Sequence, residues 1–272
     1  MITLGEVPTR TYVSKSKIPG NDYVINPYVG CPHKCVYCYA EYMRKFSGHP
    51  EAWGDFLDVK VCPVPLKPGM LFRTSVLLSS VTDPYNPYEQ KYEVTRKVIK
   101  QLAYCQAHVR VLSKSALIVR DIALFKQFKH FEAALSFSSA DEEFRLRAEP
   151  GASSVQDKVT ALKTLHENGI KTAVMMAPIF PEITNWKKVI EITRPYTDRY
   201  GFDSLNLRPA YQKRVLDFVA DYYPQHLPLY EEIYVEEKPG YWQQLGEEIA
   251  DYCRTRHLQG NIYFLEKNLQ SY

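Results

Sequence analysis

Short runs of β-branched and aromatic residues alternate along this chain with stretches whose apolar positions recur at helical spacing. Runs at residues 22–26, 75–81, 108–113, 133–138, 171–177 and 204–207 predict strands. The stretches between them predict helices, most plainly over 154–168, where Val155, Val159, Leu162 and Leu165 fall on one face. Ser153 with Gln156 suits a capping box at its start, and Asn168-Gly169 suits a left-handed stop at its end. Strand and helix repeated in this order imply a parallel sheet with right-handed crossovers, so the class is α/β, either an open sheet or a partial barrel. Loops leaving the C-terminal ends of such strands carry chemistry, because the sheet holds them while their sequences stay free to vary. Here the stretches 27–38, 82–84, 114–115, 139–141 and 178–181 are polar or turn-like.

The same pattern divides the chain into an N-terminal arm at 1–20, a barrel-like body at 21–210 and a C-terminal extension at 211–272 packed on that body. Within the extension a helix is expected around 241–257 and a short strand near 262–264. Acidic residues between 217 and 251 are opposed only by Lys238, which reads as a solvated face. A hydrophobic fraction of 45%, a charged fraction of 24% and a net charge of +3 exclude disorder, collagen and coiled coil. No apolar run approaches the roughly 18 residues that span a bilayer. The first residues lack the basic and apolar regions of a signal peptide, so a cytoplasmic protein without membrane contact is expected. Tyrosine is abundant, 21 of 272 residues, and its phenol suits a polar-lined cavity.

Of six cysteines, Cys62, Cys105 and Cys253 are scattered singly and read as small buried hydrophobes. Cys31, Cys35 and Cys38 instead stand at C-x3-C-x2-C in the loop after the first strand. Three thiolates so spaced can ligate three corners of one iron-sulfur cluster and leave the fourth iron open. A zinc site is the alternative, with His33 as a fourth ligand closing a tetrahedron. Gly30 before Cys31 suits a loop that turns without a Cβ clash.

C-x3-C-x2-C with the aromatic Tyr37 before the last cysteine, after the first strand of a six-fold β/α pattern, resembles the radical SAM superfamily. Asn26-Pro-Tyr-Val-Gly-Cys, Thr82-Asp-Pro-Tyr-Asn-Pro-Tyr-Glu89, Ser113-Lys-Ser115, Glu149-Pro-Gly-Ala152 and Ala177-Pro-Ile-Phe-Pro181 resemble its spore photoproduct lyase-like branch over about residues 20–185. The resemblance implies a partial (β/α)6 TIM-like barrel, a 4Fe-4S cluster on Cys31, Cys35 and Cys38, and S-adenosylmethionine (SAM) on the open iron. It implies reductive cleavage of SAM to a 5'-deoxyadenosyl radical that abstracts a hydrogen atom, with a flavodoxin or ferredoxin as electron donor.

By the same resemblance Tyr37 lies near adenine, Thr82 touches SAM, Lys114 meets its carboxylate, and Ser136 or Ser138 reaches the ribose. Tyr37 and Tyr39 match two tyrosines that relay a radical in the lyase. Ser80 stands where the lyase has its hydrogen-donating cysteine. A hydroxyl O–H is far stronger than a thiol S–H, so literal repair of the spore photoproduct is not expected. Arg145 and Arg147 offer guanidinium groups to a carboxylate or phosphate, and Cys62 or Cys253 a substitute thiol. Residues 91–129 are rich in Lys and Arg against Glu93 and Asp121, and such a face could neutralise phosphates. The substrate class thus stays open between nucleic acid and a small metabolite, peptide or protein. A non-catalytic metal-binding partner subunit is the remaining alternative.

Overall fold

The computed structural model of the chain describes residues 2–238 and 240–264. Its strands are β1 (Thr3–Pro8), β2 (Val13–Lys15), β3 (Tyr23–Ile25), β4 (Tyr28–Val29), β5 (Phe56–Val61), β6 (Ser75–Leu78), β7 (His108–Ser113), β8 (Phe131–Ser136), β9 (Lys171–Ile179), β10 (Arg199–Ser204) and β11 (Gly260–Ile262). Val, Ile and Leu fill the central strands because helices cover them, and Val76, Leu78, Val111, Leu135 and Val174 are fully buried. Each such side chain contributes about 1.5–3 kcal/mol by leaving water. The main sheet runs β11-β10-β9-β8-β7-β6-β3-β2 and is parallel except for β2 against β3. Its edges, β2 and β11, do not pair, so the sheet stays open. Strands β3 and β6 to β10 form the expected (β/α)6 series.

The last strand of that series lies earlier than its sequence suggests, at Arg199–Ser204 rather than 204–207. Arg199 and Gly201 interrupt its apolar run, although Tyr200 and Phe202 are buried. Residues after Ser204 form its exit loop, and a register shift against β9 lies between Phe202 and Ser204. The helix expected over 154–168 spans Val155–Glu167. Its cap is Ser154, whose hydroxyl accepts from Asp157 N–H at 3.0 Å. Ser153 Oγ accepts instead from Ala116 N–H at 2.8 Å.

The N-terminal arm proves to be paired structure. Strand β1 runs parallel to β5, which also pairs antiparallel with β4, making a separate three-stranded sheet. Strand β4 leads directly into Gly30 and Cys31, so this sheet anchors the root of the cysteine loop. In the C-terminal extension the helices are Pro209–Tyr222, Leu227–Tyr234 and Tyr241–Thr255. The final strand is β11, parallel to β10. Residues 265–272 of the expected extension lie outside the described residues.

Candidate active site

A cavity of about 330 Å³ opens at the C-terminal ends of the barrel strands and is lined by Cys31, Cys35, Cys38, Thr82, Lys114 and Ser136, among others. The cysteine loop reaches it through a turn that only glycine permits. Gly30 has φ +84°, and a Cβ there would stand 2.4 Å from the Phe56 carbonyl oxygen. Thr82 Oγ1 donates to Gly30 O at 2.7 Å. On the other side the 149–152 loop clasps the segment: Gly151 N–H donates to His33 O at 3.1 Å, and Val36 N–H to Ala148 O at 3.0 Å. A Cβ on Gly151 would lie 2.5 Å from Pro32 O, so the close approach again needs glycine.

Inside this clasp the sulfurs are met by N–H groups. Backbone N–H groups of His33 and Asp83 serve Cys31, and that of Ala40 serves Cys38. Trp53 Nε1 also donates to Cys38 Sγ, at 3.2 Å. Burial pushes the Cys31 thiol up to about 12 and raises Cys35 and Cys38 as well. Such thiols become thiolates when a cationic group arrives to share their charge.

The Thr82–Glu89 stretch is mainly scaffolding. Asp83 accepts from Ser113 Oγ and Lys114 N–H at 2.7 Å each and from Tyr85 N–H at 2.8 Å. Its carboxylate also faces His33 Nδ1 at 3.4 Å. One carboxylate thereby joins the cysteine loop to the end of β7. Glu89 accepts from Tyr28 OH, from Thr95 N–H at 2.9 Å and from Arg120 Nη2 at 2.6 Å, tying the stretch to β4. Asn26 holds the next loop, its Oδ1 accepting from Ser80 and Val81 N–H at 2.9 and 3.1 Å.

Behind the cysteines lies a second buried array. Lys114 Nζ donates to Ser136 Oγ at 2.6 Å and to Ala177 O at 3.3 Å, lies 3.7 Å from Glu149 Oε1, and sits 5.7 Å from the Tyr37 ring centroid. Lys158, fully enclosed, donates to Ser136 O at 3.0 Å and lies 3.8 Å from Glu149 Oε2. Burial alone would raise the Glu149 carboxyl, but Lys114 and Lys158, with the Tyr37 and Ser138 hydroxyls, hold it down at about 2. Burial brings Lys158 down to about 8, with Glu149 opposing.

The array separates the two serines offered for the ribose. Ser136 lines the cavity. Ser138 is fully buried, engaged with Glu149 at 2.7 Å and Tyr37 at 2.9 Å, and is absent from the lining. Both tyrosines line the cavity but differ in setting: the Tyr37 hydroxyl is held by Glu149 and Ser138, whereas Tyr39, 49% exposed, donates to the Ser80 carbonyl. Ser80 lines the cavity near them, its Oγ accepting from Asn26 Nδ2 at 3.3 Å.

Other candidates lie elsewhere. Arg145 is a buried staple donating to Glu142 and to the Pro150 and Ala152 carbonyls, and Arg147 pairs with Glu143 on the surface. Neither lines the cavity, nor do Cys62 and Cys253. The basic run at 91–129 is not one free cationic face, since Arg96, Arg110, Lys114 and Arg120 are paired with acids. Sequence reading missed Lys158, Trp53 and Asp203. Asp203 lines the cavity from the end of β10, and burial pushes its carboxyl up to about 6 against a hydrogen bond from the Ser204 backbone.

The donor set fits a sulfur-ligated metal group. Three half-buried thiols with N–H donors aimed at two of them line one cavity, and His33 Nε2, buried there, has no partner. Among the described residues no three His, Cys, Asp or Glu side chains stand close enough to hold a single metal ion. His33 turns its Nδ1 to Asp83, at 3.4 Å.

The family model described as the Radical SAM superfamily matches residues 25–192. An uncharacterized protein of Methanocaldococcus jannaschii is 33% identical over 224 residues, covering 82% of this chain and 85% of that one. Among solved structures, spore photoproduct lyase complexed with dinucleoside spore photoproduct superposes with a TM-score of 0.66 at 14% identity, covering 97% of this chain and 82% of the lyase. SuiB of Streptococcus suis bound to S-adenosylmethionine gives 0.54 at 14% identity, covering 90% of this chain and 50% of SuiB. Both structural likenesses concern the fold.

Proposed function

The chain belongs to the radical SAM superfamily of enzymes, and on that premise we propose that it cleaves SAM reductively and uses the resulting 5'-deoxyadenosyl radical to take a hydrogen atom from its substrate. Cys31, Cys35 and Cys38 would hold a 4Fe-4S cluster. When bound, that cluster supplies one electron to the sulfonium of SAM, received from a flavodoxin or ferredoxin in a cytoplasmic setting. The observation that carries the reading is the convergence of these thiols with Lys114 and Ser136 on one cavity.

Each neighbouring side chain has a definable task. Lys114, charged because Glu149, Cys35 and Asp83 outweigh the effect of burial, would bind the SAM carboxylate. Ser136 offers its hydroxyl to the ribose. Glu149 and Ser138 lock the Tyr37 ring, which would flank the adenine, and Thr82 fixes the approach of the cysteine loop. Burial of Tyr37, Ser136, Ser138 and Glu149 keeps water from that wall of the cavity, where a reactive radical would form. Ser80 cannot return a hydrogen atom as a thiol would. Tyr39, which lines the cavity and is far more exposed than Tyr37, is the better placed phenol for that role.

The test is anaerobic reconstitution with iron and sulfide, followed by SAM and dithionite. Formation of 5'-deoxyadenosine and methionine, read by mass spectrometry, is expected. A colourless protein carrying one zinc ion overturns the reading. A nucleic-acid substrate is a second reading, favoured by the dinucleoside photoproduct bound to the structurally similar lyase. It requires oligonucleotide binding that weakens steeply with salt.

A further inference from the structure

The loop between the cysteine segment and β5 brings an indole against one of the proposed cluster ligands. Trp53 Nε1 donates to Cys38 Sγ at 3.2 Å. An indole N–H can only donate, so the direction of this contact is fixed.

Several independent ties hold the ring in place. Trp53 packs edge-on against Phe56, with centroids 5.7 Å apart at 86°. Phe56 is fully buried and stacks on His49 at 4.0 Å. His49 in turn reaches Glu51 through Nδ1 and Asp58 through Nε2, each at 3.0 Å. Gly54, at φ +103°, lets the chain pass Lys34, whose Cγ would lie 2.7 Å from a Cβ there. Lys34 pairs with Asp55. A fifteen-residue separation from Cys38 is thus closed by a built loop, and its indole nitrogen ends on sulfur.

We propose that Trp53 is a positioning residue that raises the reduction potential of the metal group held by Cys38. The inference rests on the cluster reading above. A hydrogen bond to a ligand sulfur withdraws negative charge from it and so favours the more negative, reduced state. The step concerned is the uptake of one electron from a low-potential donor, dithionite in the test, with no bond made or broken in the protein.

Wild type and Trp53→Phe are reconstituted anaerobically, assayed for iron and sulfide, and titrated with dithionite while the EPR signal is followed, without SAM. Equal loading is expected, with the reduction equilibrium of W53F weakened by about tenfold, equivalent to 59 mV for one electron. Equal loading with equal potentials overturns the role of Trp53, since the substitution removes the N–H that is argued to set the potential. Should W53F fail to load, β-(3-benzothienyl)alanine at position 53 keeps the bicyclic shape and replaces the N–H by sulfur. A lowered potential there supports the role, and an unchanged one overturns it. Failure of the wild type to take up iron and sulfide overturns the cluster reading, and this inference with it.

Discussion

The two ends of the barrel strands treat charge in opposite ways. At the C-terminal ends Glu149 and Lys158 are sealed from water, and the Lys114 side chain is 15% exposed. At the N-terminal ends a second cavity of about 690 Å³ is lined by Arg110, Arg199 and Arg254, and the nearby buried carboxylate Glu132 pairs with the partly exposed Arg199 and Arg110. Enclosed charges lose several kcal/mol of hydration each, which only close partners and hydrogen bonds offset. The same sheet therefore supports an end that spends stability on a preorganised site and an end whose ion pairs serve the fold. The difference teaches that the Glu149–Lys158 pair behind the cysteines is closed off on both sides, whereas Glu132 is met by guanidinium groups that keep part of their surface in water.

The sharpest way to break that contrast is Cys35→Ala. Iron uptake and 5'-deoxyadenosine formation should fall to background, while urea unfolding of the metal-free protein shifts little. Next in size is Glu149→Gln, which leaves Lys114 and Lys158 facing each other without a counter-charge. It should cost about 3–5 kcal/mol in urea denaturation of the metal-free form. The double variant with Lys158→Met should recover a large part of that loss; a cost below about 1 kcal/mol for E149Q would show that the array is not enclosed. Lys114→Met should weaken SAM binding to the loaded protein about tenfold in equilibrium dialysis, the worth of one charge-assisted bond.

At the opposite end Glu132→Gln should cost about 1–2 kcal/mol and leave 5'-deoxyadenosine formation unchanged. An equal loss of activity would erase the distinction between the ends. The smallest effect concerns His49. Burial lowers its pKa, but hydrogen bonds to Glu51 and Asp58 outweigh that and raise it. A raised folded-state value means that its stabilisation is complete below the ordinary histidine pKa of about 6.5 and is lost as pH rises through the folded value. Unfolding free energies measured above pH 6 should decline by less than about 1 kcal/mol, and His49→Gln should flatten that decline.

How far the sequence foretells this arrangement depends on whether each residue's partner is local. The cysteine cluster is legible because its loop position and spacing stand out in the chain, whereas Tyr37 and Lys114 are singled out only through the resemblance to the spore photoproduct lyase-like branch. The series of parallel strands is legible through its periodic apolar runs. Strand β10 is misplaced because Arg199 and Gly201 interrupt the run, while its partners β9 and β11 come from elsewhere in the chain. The small sheet escapes notice because β1 and β5 stabilise each other across some fifty residues.

Lys158 was within reach. It lies three residues after Val155 and four before Leu162, on the apolar face of its helix, and a lysine there signals a buried counter-charge. Ser138 shows the reverse limit. Its position after β8 resembles that of Ser136, and only the fold reveals that Glu149 and Tyr37 occupy it. The arginines at 145 and 147 mislead because a polar stretch looks alike whether it binds a ligand or staples its own loop.

Electron–nuclear double resonance on the dithionite-reduced protein, with SAM labelled by ¹⁵N at the amino group and ¹⁷O at the carboxylate, interrogates the proposed open metal corner. Hyperfine coupling from both labels to the cluster is expected, weakened or lost in the Cys38→Ala protein. An intact cluster that shows neither coupling when SAM is bound would contradict a sulfonium nucleotide chelated by iron between these three thiols.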